Sequence, residues 1–296
     1  MGALEVELDS AYRRDQVERT CKWFMDSHRD IIKKVMEIED NQTLDIPEYL
    51  SHEDVFVKII PSGFEYDWFV NYGKEIARRL RGVGGAYPVI GACMISPTLT
   101  VEGELSEEDM EMLIFELIAN RSLTLFMSDL FPGMTLVEYA ENADPMSLRE
   151  VFVEVVGVAA EVESSGVLHG DIHPRNVMIN RGEVALVDFD SSALLEDPSS
   201  FYKVPGILPY NLMIYVEETE MKDFASLVFM PPELLALADP SFGRRYEQVQ
   251  DPVELLDFRE LEKVFGKGYM GMLKKAVEGN APKERPVRAL LRSLTS

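Results

Sequence analysis

The sequence predicts an α+β protein of two lobes, a small β-rich lobe followed by a larger α-helical one. Three observations carry that reading. Short β-branched and apolar runs, Val55-Phe-Val-Lys-Ile-Ile60 foremost, fall before residue 130. Helical spacing of apolar residues dominates after residue 147. Between them, residues 166–190 hold two apolar runs joined by Asn180-Arg-Gly182, a tight-hairpin signal flanked on both sides by polar groups.

Taken in order, residues 10–39 place Val17, Cys21, Phe24, Ile31, Ile32, Val35 and Ile38 at three-four spacing, which predicts one long or broken helix. Residues 1–44 are thus expected to be a helical extension, 45–126 the β-rich lobe, 127–135 a link and 136–296 the helical lobe. Val55–Ile60 predicts a strand with a lone lysine, Lys58, closed by Pro61-Ser-Gly63. A helix over 66–80 follows and carries Glu75. Gly82-Val-Gly-Gly85 lacks the spacing of a phosphate loop and predicts a flexible connection into a strand over 88–95. An acidic helix is expected over 102–120, a strand over 123–127 and an extended link over 128–133. Leu148, Val151, Phe152, Val155, Ala159 and Val162 predict an amphipathic helix over 147–162. Residues 191–210 read as loop, and helices are expected over 223–237, 253–265, 269–277 and 286–294.

Composition narrows the classes. The apolar share of 46% is ordinary for a globular chain, and no apolar run is long enough to cross a membrane. A formal charge of −23 argues against nucleic-acid binding and favours basic partners. Two cysteines, Cys21 and Cys93, are too few for a disulfide framework or a zinc site. A reducing compartment, cytoplasm or nucleus, is therefore the expectation.

The chemistry gathers around the hairpin. His169, Asp171, His173 and Asn176 precede it, and Asp188 and Asp190 follow it. Antiparallel strands bring both sets to one end. Two carboxylates and an amide oxygen held together suit a hard cation such as Mg2+, which takes oxygen ligands and phosphate. The alternative is a buried hairpin with capping polar residues.

In this order the parts resemble the protein kinase superfamily. His169-Gly-Asp-Ile-His-Pro-Arg-Asn176 resembles the catalytic loop H-R-D-L-x-x-x-N, and Asp188-Phe-Asp190 resembles D-F-G. Val57-Lys58 resembles the end of V-A-I-K, with Glu75 as its ion-pair partner. Residues 127–133 resemble the hinge, where the backbone of Ser128 and Leu130 would bond adenine and Met127 would be the gatekeeper. Gly206-Ile-Leu-Pro-Tyr210 is similar to the end of an activation segment, and Asp223-Phe-Ala-Ser-Leu-Val228 to the D-x-W-S-x-G helix opening. Glu284-Arg-Pro-Val-Arg-Ala-Leu-Leu291 is similar to the closing R-P-x-x-x-x-L-L. The resemblance covers about residues 50 to 296 and implies a protein kinase-like fold with ATP and Mg2+ as cofactors. It implies Asp171 as the base, Asn176 and Asp188 as metal ligands, Lys58 on the phosphates and His173 beside the transferred group.

The chain departs from that pattern at several places. Gly170 replaces the arginine before the catalytic aspartate, and His173 stands where protein kinases carry lysine. The resulting H-G-D-x-H-x-x-N is similar to small-molecule kinases of the aminoglycoside and choline type. Asp190 replaces the glycine of D-F-G. A-P-E is missing after Tyr210, and Pro231-Pro-Glu233 replaces it only if Asp223 gives up its helix role. No glycine occurs between Gly2 and Gly63, so the Gly-rich loop has no counterpart. H-G-D, D-F-D and G-x-L-P-Y together are similar to fungal-type protein kinases.

The reading favoured is a divergent protein kinase that transfers the γ-phosphate of ATP to a hydroxyl, on a protein or a small molecule. A pseudokinase scaffold, a small-molecule kinase and a non-kinase binding protein are the alternatives. Residues 31–55 discriminate, since strands there favour catalysis and helix favours the scaffold.

Overall fold

The computed structural model describes residues 3–8, 14–37, 45–96, 110, 112, 121–197, 200 and 221–296. They divide into two compact units, Met1–Arg78 with Pro88–Leu130 and Arg79–Tyr87 with Phe131–Ser296. The helix expected over 102–120, apart from 110 and 112, and the whole of Gly206 to Tyr210 lie outside the described residues.

In the first unit the elements run β1 (Ala3–Leu8), α1 (Arg14–Ser27), α2 (Arg29–Met36), β2 (Tyr49–His52) and β3 (Val55–Ile60). Then come α3 (Phe64–Trp68), a π-helical turn (Phe69–Gly73), α4 (Lys74–Leu80), β4 (Val89–Ser96) and β5 (Leu123–Asp129). The strands form one antiparallel sheet in the order β1-β4-β5-β3-β2. Alternation along β3 sends Val55, Val57 and Ile59 into a core with Val17, Cys21 and Phe24 of α1, Ile31 and Val35 of α2, and Leu123, Leu125 and Met127 of β5. The predicted extension therefore shares its core with the sheet. Lys58 belongs to the other face. Its cross-strand partner is Phe126, whose ring lies 5.9 Å from Trp68 and 6.1 Å from Phe69, so α3 and the π turn cover the lysine's face.

Three features of this unit differ from expectation. Strand β1 lies within residues 1–44, expected to be a helical extension, and pairs with β4. Cys21 and Cys93 form a disulfide that ties α1 to β4 across 72 residues of sequence, with Cα atoms 6.5 Å apart. Cysteine count therefore no longer supports a reducing compartment. Residues 31–55 split, with helix to Met36 and then strand β2, which turns into β3 through Glu53 in a left-handed conformation (φ 53°).

The second unit runs β6 (Met134–Thr135), α5 (Leu136–Ala140), α6 (Pro145–Ser164), β7 (Val167–Leu168), β8 (Val177–Asn180), β9 (Glu183–Leu186) and β10 (Ala193–Leu194). It continues with α7 (Lys222–Ala238), α8 (Pro240–Tyr246), α9 (Arg259–Val277) and α10 (Pro286–Thr295). Local chemistry fixes the helix starts. Thr135 and Glu138 close a capping box on α5, and Asp144 accepts from the first turn of α6 with Pro145 behind it. Gly266 (φ 90°) kinks α9 where the sequence predicts two helices.

Helix α7 is buried along most of its length and contains Pro231 and Pro232. A proline inside a helix removes the donor for the carbonyl four residues back. For Pro232 that carbonyl is Val228, and it accepts instead from the buried Tyr269 hydroxyl of α9 at 2.9 Å. The helix thus continues unbroken from Asp223 past Glu233. The class is that of the predicted α+β, protein kinase-like fold.

Candidate active site

Strands β8 and β9 pair from Val177↔Leu186 to Asn180↔Glu183, leaving Arg181 and Gly182 as a two-residue turn. Both have positive φ, 50° and 88°, the backbone that twists a hairpin in the sense of its strands. At the open end the Val187 N–H donates to the Asn176 carbonyl at 3.0 Å. Asn176 and Asp188 therefore meet at the same end of the hairpin, as the sequence predicts. Asp188 holds a left-handed backbone (φ 63°, ψ 63°), a conformation costly for a non-glycine residue and concentrated at functional sites.

The loop before the hairpin is fixed from below by Asp223 in the first turn of α7. Its two carboxylate oxygens accept from the His169 N–H at 2.7 Å and the Gly170 N–H at 2.8 Å. Burial pushes the Asp223 carboxyl up, and His169 with these two N–H bonds opposes the rise. The His169 ring is fully buried. Its Nδ1 accepts from the Asp171 N–H at 3.2 Å and its Nε2 faces the Val187 carbonyl at 3.0 Å, which sets the proton on Nε2. Burial pushes His169 down, so it is neutral at neutral pH.

Gly170 is explained by space. Its φ is 82°, and a Cβ would collide with the Ser191 carbonyl. The missing arginine is thus a packing requirement of this loop as well as a lost phosphate contact.

Asp171 is oriented and tuned by its neighbours. The Asn176 side-chain amide donates to its carbonyl at 3.0 Å and to its carboxylate at 3.3 Å. His173 Nδ1 accepts from the Arg175 N–H, which leaves Nε2 as the atom facing Asp171 at 3.6 Å. Burial pushes the Asp171 carboxyl up, but the His173 hydrogen bond and charge, with His169 and Lys222, outweigh it and hold it below its usual value. A carboxylate ionised at neutral pH, half-exposed and oriented on both sides is equipped to accept a proton.

Because its NH2 group is spent on Asp171, Asn176 has its amide oxygen left to offer. With the Asp188 carboxylate it makes two oxygen donors on one hairpin end. Mg2+ is bound through one or two carboxylates plus phosphate and water, so these residues fit it. Among the described residues no group of three His, Cys, Asp or Glu side chains forms a metal cage, which the donor chemistry of Mg2+ does not require.

The nucleotide-side residues are placed as follows. Lys58 and Glu75 are both in the first unit, Lys58 on the sheet face covered by α3 and Glu75 in the first turn of α4. Glu75 holds Arg78 through two bonds of 2.6 Å. Met127 faces the α1–α2 core beside Val57, whereas Thr124, Phe126 and Ser128 of β5 share the Lys58 face. Ser128 pairs with Phe56 on that same side, and the Leu130 N–H is already donated to the Asp54 carbonyl at 2.9 Å. Leu130 could offer adenine its carbonyl.

Sequence reasoning missed one residue at this site. Ile172, His173 and Pro174 line an open hollow with Ser226, Phe229, Met230 and Glu233 of α7. The signal was present, since Glu233 follows Asp223 by ten residues, close to three helical turns.

Residues 140–194 match the phosphotransferase enzyme family designated APH. The matched stretch contains His169, Asp171, His173, Asn176 and Asp188. The chain is thus similar, over its catalytic loop and hairpin, to phosphotransferases.

Proposed function

We propose that this chain is an ATP- and Mg2+-dependent phosphotransferase that moves the γ-phosphoryl group of ATP to a hydroxyl, acting as a divergent protein kinase. The observation that carries the proposal is the Asp171 carboxylate, held between His173 and Asn176 on a loop clamped by Asp223. Asp171 takes the acceptor's proton as the hydroxyl oxygen bonds to phosphorus. His173 Nε2–H lies beside that carboxylate and steadies it. Asn176 and Asp188 would hold Mg2+, which when bound neutralises charge on the phosphates. Lys58 would grip the phosphates, with Ser128 and Leu130 at the adenine. The asparagine thereby couples base and metal through its two ends.

A second reading, a small-molecule acceptor, is favoured by the match over residues 140–194 and by Gly170 and His173 in the catalytic loop.

The test is a thermal-shift titration with Mg-ATP on wild type and Asp188→Asn, followed by transfer from γ-labelled ATP. Mg-ATP at 100 times its Kd adds about 2.7 kcal/mol to the wild type and markedly less to the variant. No shift in the wild type overturns the proposal. A shift with neither transfer nor phosphate release assigns a scaffold instead.

A further inference from the structure

The last two helices carry a charge opposite to that of the chain. Residues 259–296 hold nine Lys or Arg against four Glu and no Asp, in a protein whose formal charge is −23. All nine cations are exposed. Helices α9 and α10 form an antiparallel pair. A link over 278–285 joins them, and Gly268 of α9 sits so near α10 that a Cβ there would collide with the Ser293 carbonyl. One side of the pair is core, where Tyr269, Met272 and Leu273 of α9 and Leu290 and Leu294 of α10 are all buried.

Helical spacing sets the cations on the other side. Lys267 and Arg292 each come one residue before the touching pair, so they flank the crossing. Lys274 lies two turns beyond Lys267, while Arg288 and Arg285 lie one and two turns before Arg292. Lys275, two turns after Gly268, stands nearest α10. Gly271 is exposed and adds no side chain between the two rows.

These charges are not neutralised from within. Among the described residues Lys267, Lys275, Arg285, Arg288 and Arg292 form no salt bridge, and Lys274 meets Glu278 at 3.7 Å with both side chains exposed. Glu260 is held by Arg245 of α8 at 2.7 Å. Glu163 of α6, next to Arg285 and Arg288, accepts from the Val287 and Arg288 N–H groups. Glu262 and Glu284, both exposed, are the other carboxylates of this stretch. The first unit shows the reverse pattern, exposed cations standing beside carboxylates in Arg14–Glu18, Arg19–Glu53, Arg29–Asp26 and Lys33–Glu37. A merely solvated helix face needs no such segregation.

We propose that the exposed face of α9 and α10 is a docking surface for an acidic peptide segment of a partner protein. Arg285, Arg288 and Arg292 present planar forks that match carboxylates, and the lysines add point charges. Other occupants fit less well. A long nucleic acid would run off the face into a strongly acidic chain, whereas a short peptide, within a Debye length of about 8 Å, meets the local cations alone. Stable membrane binding takes an apolar anchor besides charge, and exposed apolar side chains such as Met134, Met146 and Val253 belong to other elements. Copies of a chain of charge −23 repel one another. The face contains no residue of the catalytic loop or hairpin, so the inference does not depend on the phosphotransferase reading.

The test is fluorescence anisotropy on the full chain, with labelled acetyl-hexaglutamate as the acidic probe. Lys267→Glu with Arg292→Glu is the site variant. Arg14→Glu with Arg29→Glu, the same change of net charge elsewhere, is the control. The site variant is expected to bind about tenfold more weakly, since each exposed charge contact is worth a few-fold and reversal counts it twice. The control keeps the wild-type affinity to within about twofold, and raising NaCl from about 50 to about 200 mM weakens the wild type several-fold. Bound peptide slows hydrogen exchange in α9 and α10. No binding to the wild type overturns the proposal, and so does equal loss in both double variants, which is a response to net charge alone. Tighter binding of a thymidine hexanucleotide or of phosphatidylserine vesicles assigns the face to that occupant and overturns the peptide. A wild type that sediments as a dimer at low salt, where the site variant does not, assigns it to a second copy with the same result. Should the site variant misfold, the exchange footprint on the wild type decides, and protection confined to other elements sinks the proposal.

Discussion

The loop that carries Asp171 and the sheet that carries Lys58 are held in different ways. The loop is fixed by directional bonds. Two backbone N–H groups meet Asp223, a buried neutral His169 spans Asp171 and Val187, and a side-chain amide ties Asn176 to Asp171. The sheet is fixed by apolar packing and one covalent link, its core shared among α1, α2 and alternate residues of β3, β4 and β5. Its approach to Lys58 is a hairpin turning at Glu53, without glycine, and β1 lies at the edge farthest from β2. Packing tolerates apolar exchanges of similar volume, whereas a hydrogen-bonded loop is weakened by the loss of any one partner. On the proposed function, the residues for proton and metal thus sit on a hydrogen-bonded loop and hairpin, while those for the nucleotide sit on a sheet held by packing and a disulfide.

The sharpest way to break that contrast is Asp171→Asn. If the loop supplies the base, phosphotransfer falls by about 10²- to 10⁴-fold while Mg-ATP still raises the melting temperature. Loss of the thermal shift together with transfer would make the loop part of the nucleotide grip, and the contrast would fail.

Reducing the disulfide, or replacing Cys21 and Cys93 by serine, probes the sheet. Closing a loop of 72 residues is worth at most about 4 kcal/mol in the chain-entropy account. The loss should appear in hydrogen exchange of β3, β4 and β5, with the amides of β8 and β9 protected as before. Equal loss in both units would show that they unfold together.

Gly170→Ala probes the loop from the opposite side. A left-handed alanine whose Cβ meets the Ser191 carbonyl should cost about 1–3 kcal/mol, read by denaturant melting. Restoring arginine there should do no better. A variant as stable as wild type would mean that the loop yields as readily as the sheet.

The same contrast explains what could be read from the chain. The hairpin was legible because turn chemistry is local, Arg181 and Gly182 lying between two apolar runs. The candidate catalytic residues could be proposed because their spacing is set within one loop. Asp223 was legible as a helix opening, but its bonds to His169 and Gly170 span more than fifty residues and leave no local mark. Met127 as gatekeeper rests on the resemblance alone, since the face a β5 residue shares depends on the β3–β5 register, which no stretch of sequence states. Strand β1 did carry a period-two signal, Leu4, Val6 and Leu8 between glutamates, but it is short and stands before a long helical pattern. Glu233 was legible as part of the helix over 223–237, but the face it turns to the catalytic loop is set by packing, and the helix passes the two prolines because the distant Tyr269 hydroxyl replaces a lost bond.

The smallest effect expected is also the one that separates the hollow from the loop. Glu233 has its carboxyl pushed up by burial from an ordinary value of 4.5 to about 8. The folded protein therefore binds this proton more tightly than the unfolded chain. Linkage then makes the proton stabilising, fully so below about 4.5, with the benefit lost as pH rises toward 8. The slope from one such group cannot exceed about 1.4 kcal/mol per pH unit, and partial exposure reduces it. Asp171 behaves in the opposite sense, since its carboxyl is held low and its stabilisation is lost only as pH falls below about 4. Chemical denaturation across pH 5 to 8.5 should thus show wild type weakening as pH rises and Glu233→Gln running flatter, with Asp171→Asn parallel to wild type. Parallel curves for wild type and Glu233→Gln would mean that the carboxyl is already ionised at neutral pH. The hollow would then be as polar as the loop beside it.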